Sequence, residues 1–132
     1  MKKVKINSSL KAGFSLVEML VVIAIIGIIA AIAIPNIGNI NDSARQATAK
    51  RNAQSIASVV NAAIAAGADV SDITEANLIE KAEGGELIPD KGPFKGKTFT
   101  VGTIDSESKA DIATYLSWDD VNKQASYKPD GL

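Results

Sequence analysis

The 132-residue chain contains no cysteine and no histidine. Without cysteine it has no disulfide staple and no thiol chemistry, and its compartment is not written in redox usage. Without histidine it lacks the commonest general base and metal ligand. Aromatic residues are few, and between Phe14 and Phe94 there are none, so no aromatic ladder supports electron transport. No G-x-S-x-G, phosphate-binding glycine loop or H-E-x-x-H is present. These absences argue against an enzyme. The start of the chain is basic: "MKKVKINSSLKAG", residues 1–13, holds four lysines and no carboxylate. The remainder has ten bases against fifteen acids, a net charge of −5. A short basic start on an acidic chain is not the footprint of a nucleic-acid binder, and no nucleic-acid partner is expected. It has the form of a membrane topology signal.

Beyond the basic start the chain turns apolar. Phe14 to Ile34 is 21 residues with Glu18 as the sole charge. As a helix it spans about 31 Å, the thickness of a bilayer's hydrocarbon core. Lys2, Lys3, Lys5 and Lys11 precede it, so the positive-inside tendency keeps the N-terminus cytoplasmic and sends the rest across. A cleavable secretory signal would have a shorter apolar region, roughly 7–15 residues. An uncleaved signal anchor is the plain alternative.

Glu18 separates that anchor from something more specific. A carboxylate near mid-bilayer costs about 2.5–3.5 kcal/mol on insertion scales, less towards the surface, and the rest of the segment holds no lysine or arginine. If the chain is cut between Gly13 and Phe14, the new α-amino group lies one helical turn from Glu18. Within one subunit, the helix start offers unpaired N–H groups and a positive dipole end. Between subunits, the acid of one helix would meet the new N-terminus of another, and an unpaired buried charge is unfavourable enough for such a pair to fix axial register. A glutamate snorkelling to the headgroups is the simpler reading of the same residue.

"GFSLVE", after a Lys-rich leader and before some sixteen further apolar residues, resembles the class III signal of type IV pilins and type II secretion pseudopilins. The resemblance covers roughly residues 1–40. It implies cleavage after Gly13 by a prepilin peptidase, N-methylation of Phe14 by the same enzyme, and Glu18 as the assembly glutamate. Pro35 falls where these proteins carry a helix-bending proline, and Gly38 adds to that weakness. The implied protein is a filament subunit, stored in the inner membrane by a single pass with its head in the periplasm. An assembly platform with a cytoplasmic ATPase would lift it into a homopolymer held by its N-terminal helices, with minor pilins or pseudopilins as further partners. A mature chain of 119 residues without cysteine leans towards a type II secretion pseudopilin. A type IV pilus subunit for adhesion, motility or DNA uptake is the alternative, and a signal-anchored periplasmic binding domain is the alternative of another class.

The expected architecture is α+β: a leader over 1–13, a transmembrane and filament-core helix over 14–35, an amphipathic helix over 36–67, and a small head over 68–132. Ile56, Val59, Val60, Ala63 and Ile64 form an apolar stripe that needs a cover, and Gly67 is the natural C-cap. Arg45, Lys50 and Arg51 cluster mid-helix, as an anionic-surface contact or a solvated face. A second helix is predicted over Ile73–Ala82, with Asp72 and Glu75 as its capping pair. Strands are predicted in "TFTVG", "ATYLSWD" and "QASYK", the last two joined by a hairpin turn at "DDVN". Phe99, Val101, Tyr115, Trp118 and Tyr127 are the expected inward residues. Some pseudopilins hold calcium in a C-terminal loop, so Asp119, Asp120, Asn122 and Asp130 are the candidate ligands, but the stretch lacks a Gly-rich ligand loop. No other cofactor is expected.

Overall fold

Fifty consecutive residues, Leu16–Ala65, form helix α1. The computed structural model describes residues 13–131, the side chains at 35 and 36 excepted. After α1 come α2 (Leu78–Gly84), α3 (Ser106–Thr114), β1 (Leu116–Asp119) and β2 (Gln124–Tyr127). The fold is α+β, and it divides into two compact units, one up to Ile40 and one from Asn41.

In the first unit α1 is all but uncovered. Its leucine, valine and isoleucine side chains from Leu16 to Ile34 are exposed, and the segment is long and apolar enough to cross a membrane. An exposed apolar surface of this extent calls for lipid or a partner helix. The backbone stays helical through Pro35 and Gly38.

In the second unit α1 supplies one wall of the core. Ala49, Ala53, Ile56, Ala57, Val60 and Ala63 are buried, at spacings of three and four residues that place them on one face. The alanines let the head approach closely, and Ile56 and Val60 project into it. Val70, Ile73, Leu78, Ala82, Leu87, Ile112, Leu116 and Ala125 cover them. Ile56 is fully buried, so Ile56→Ala should destabilise this unit by about 2–5 kcal/mol. Urea titration of the full chain in detergent, followed by Trp118 fluorescence, would measure it.

Gly67 ends α1 as its position suggests. With φ 96° it takes the left-handed conformation, and Ala68 N donates to Ala63 O at 2.9 Å while Gly67 N donates to Ile64 O at 3.0 Å. These two bonds satisfy carbonyls that the helix end would leave unpaired.

The head departs from expectation in three places. The second helix begins at Leu78 rather than Ile73, because Asn77 organises a turn first. Its carboxamide accepts from Thr74 N and donates to Asp72 O, while the Asp72 carboxylate meets Lys81 Nζ at 2.7 Å instead of capping. "TFTVG" makes no ladder. Phe99 forms only an isolated bridge with Leu87. Residues 106–114, where no helix is predicted and a strand is set to begin at Ala113, are helix α3, which buries Ile112 against the core. The predicted hairpin is present, with Trp118 opposite Ala125 and Ser117 opposite Ser126. Phe99, Val101, Tyr115, Trp118 and Tyr127 are only partly buried and flank the core rather than fill it. Asn61 on α1 serves as a substitute strand. Its side chain donates to Ala125 O at 2.8 Å and accepts from Ala125 N at 2.9 Å, satisfying the open edge of β2.

Ion pairs tie the connecting segments. Lys81 bridges Asp72 and Glu86, and Lys109 Nζ meets Glu83 at 2.5 Å. Hydrogen bonds from these lysines hold the Asp72 and Glu83 carboxyls below the usual range and raise Lys81 and Lys109. The depressed carboxylates contribute stability that is present above their unfolded pKa near 4 and is lost as pH falls through the folded values. The raised lysines contribute below about pH 10.4, and that part is lost as pH rises through their folded values. No histidine titrates between these limits. The unfolding midpoint of the head should therefore be flat between about pH 6 and 9, fall below about pH 4, and lose part of that acid slope in Glu83→Gln.

Candidate functional site

Helix α1 starts where it does because Ser15 and Glu18 cap it reciprocally. Ser15 N donates to Glu18 Oε2 at 2.7 Å, and Glu18 N donates to Ser15 Oγ at 3.1 Å. The first intrahelical bond runs from Met19 N to Ser15 O. This is a capping box, with serine at the N-cap and glutamate three residues on. Two first-turn N–H groups find partners in an otherwise apolar stretch, and the carboxylate sits at the positive end of the helix dipole. Phe14 precedes the cap and Met19 lies at the fourth helical position, the spacing of a hydrophobic staple. Both side chains line one shallow apolar cleft, together with Val17 and Val22.

The consequence falls on the two residues before the cap. Gly13 and Phe14 are non-helical and exposed, and Phe14 is 82% accessible. A Cβ at Gly13 would meet nothing within 4 Å. The Gly13–Phe14 amide is thus an open, non-helical bond at the foot of an apolar helix. The structure brings the proposed cleavage residues and the assembly residue within one helical turn. Residues 1–12 of the leader lie outside the described residues. Gly38 is farther along the same helix, also with open space where a side chain would be.

Charge and spacing single out Glu18 and pass over Ser15, although the signal for Ser15 is in the sequence: S-x-x-E before an apolar run is the capping-box pattern. By sequence Glu18 is an acid in search of a cation. In the chain as it stands it already has partners, both from Ser15.

The other candidates lie in the head. Arg45 pairs with Asp111 at 3.1 Å, and Lys50 Nζ lies 5.3 Å from the centre of the Tyr115 ring. Two of the three mid-helix cations are thus engaged with α3 and its end. Arg51 stays exposed beside Ala44, Ala47 and Thr48. At the hairpin tip, Asp119 accepts from Val121 N, Asn122 N and Asn122 Nδ2, and Lys123 Nζ reaches Asp120 Oδ1 at 2.6 Å. The backbone bond from Asn122 lowers the pKa of Asp119, and Lys123 lowers that of Asp120. As a calcium donor set these residues do not fit. Both Asp119 oxygens are used by the turn, and a lysine stands where a cation would bind Asp120. Among the described residues no group of three or more acidic side chains converges on a point, and Asp130 joins no such group.

A family model described as the prokaryotic N-terminal methylation motif matches residues 8–34. No curated protein and no solved structure matches the chain. The matched residues contain the open Gly13–Phe14 bond, the Ser15–Glu18 cap and the exposed apolar helix.

Proposed function

We propose, from the premise that this chain carries the class III prepilin signal of type IV pilins and pseudopilins, that it is a structural subunit of a pilus-like filament. The observation that carries the reading is the matched motif lying on a non-helical, accessible Gly13–Phe14 bond directly ahead of a capped apolar helix. Hydrolysis of that amide leaves a carboxylate on Gly13 and an amine on Phe14. Transfer of one methyl group from a sulfonium donor then gives a secondary amine, which when protonated keeps its positive charge and two of its three N–H donors. A prepilin peptidase supplies both steps. The subunit's own residues contribute the open bond, the carboxylate of Glu18 and the apolar surface.

Before assembly the helix holds the subunit in the inner membrane, with the lysines of its leader on the cytoplasmic side and its head in the periplasm. During assembly an ATP-driven platform moves the helix out of lipid. The exposed isoleucine and valine surface then packs on copies of itself, with Gly27 and the alanines allowing close approach. Within this family we favour a type II secretion pseudopilin over a surface pilus subunit. The support is the lack of cysteine, which excludes the disulfide-closed loop that many surface pilins carry. The protein works as a building block, without catalysis and without a bound cofactor. A clean, complemented deletion strain tests the assignment. Accumulation of exported enzymes in the periplasm supports the pseudopilin. Intact secretion with loss of surface filaments, twitching or DNA uptake makes it a pilus subunit.

A further inference from the structure

We infer that Ser15 is a positioning residue for leader removal: by capping α1, it holds the Gly13–Phe14 bond outside the helix, open to a peptidase. The inference rests on the proposed processing after Gly13 and adds to it a residue and a physical role. A peptide bond inside a helix is closed to a protease, because its N–H and C=O are engaged and its neighbours wrap around it. An apolar helix at a membrane surface has reason to extend backwards. Each unpaired N–H in lipid is costly, and adding a turn at the N-terminus moves the unpaired groups towards water. Leu10, Lys11 and Ala12 favour helix, and Gly13 alone is a weak barrier.

The reciprocal bonds of Ser15 and Glu18 lower that incentive. They satisfy Ser15 N and Glu18 N where they stand, so the helix begins at Leu16. The cap residue itself has a non-helical backbone, and Gly13 and Phe14 continue the chain outward from it. The staple spacing of Phe14 and Met19 sets the direction in which the chain enters the helix. Loss of an N-cap is worth about a factor of five in a local helix–coil equilibrium.

The test uses the full chain in membranes that hold its prepilin peptidase, with precursor and product separated by intact mass. Ser15→Ala should slow the initial cleavage rate about five-fold and increase amide-exchange protection at Gly13 and Phe14. Ser15→Thr, which keeps a capping hydroxyl, should stay within about two-fold of the natural chain. Cleavage of Ser15→Ala at or above the natural rate, or loss of protection at those amides, would overturn the inference and leave the filament reading standing. If the natural chain itself is not cut after Gly13, the reading beneath the inference fails first.

Discussion

Gly13→Val should leave the chain uncut, with its leader attached and its head folded. Among the described residues nothing opposes the change, since a Cβ at this position meets no atom within 4 Å and Gly13 lies outside α1 and outside the core. A branched residue there acts only on the fit of the scissile bond to the peptidase. The expected product is a membrane-held precursor retaining residues 1–13, with processed chain reduced by two orders of magnitude or more, the scale on which misplacing a reacting bond lowers rates. Intact mass reads the leader, and a urea titration indistinguishable from that of the natural chain would show that the head is untouched. A Gly13→Val chain processed at the natural rate would contradict the assignment of this bond.

The second large effect is at Glu18, and two substitutions divide its two roles. Glutamine serves in a capping box as glutamate does, so Glu18→Gln keeps the helix start and loses the charge. Glu18→Ala loses both. If Glu18 pairs with the Phe14 amine of a neighbouring subunit, either change strands that cation in apolar surroundings, at a cost of roughly 3–5 kcal/mol per contact. That is two to three and a half orders of magnitude in the assembly equilibrium, repeated at every subunit. Both variants should therefore fail to form filaments when sheared fractions are viewed by electron microscopy. They should differ upstream: Glu18→Gln should be cleaved at close to the natural rate, and Glu18→Ala more slowly because its cap is gone. Filaments of normal length from Glu18→Gln would show that the carboxylate acts as a cap and not as half of an ion pair.

The features legible in the sequence are those set by neighbours in the chain. The apolar run, the lysine-rich start, the lone acid and Gly67 each act through local physics. The stripe on α1 is legible for the same reason, since Ile56, Val60 and Ala63 repeat with the helix. Val59 and Ile64, which share that spacing, are only partly buried, because the wall of the core is centred on the alanines 49, 53 and 57. Small residues carry little periodic signal, although here they decide how closely the head sits.

The head is harder to read because its elements are short and its choices tertiary. Residues 106–114 carry no strong apolar period, and α3 is fixed by Ile112 entering the core and by the Arg45–Asp111 pair. The expected start of α2 at Ile73 gives way to the Asn77 turn, a side-chain competition that spacing alone does not reveal. Asp119 shows how one pattern serves two ends. Acids gathered near a turn suggest a metal, yet one aspartate bonding two backbone N–H groups is a common way to build the turn itself.

As a filament subunit, this chain would be a precursor whose working N-terminus is Phe14. Purifying the protein from membranes of its own host and measuring its intact mass, with fragmentation of the N-terminal peptide, tests that most directly. The chain should begin at Phe14 and be one methyl group heavier than its sequence, the methyl residing on the α-nitrogen. A chain that begins at Met1, or at a site beyond Ile34, would contradict it and identify the apolar helix as an ordinary anchor or an ordinary cleaved signal.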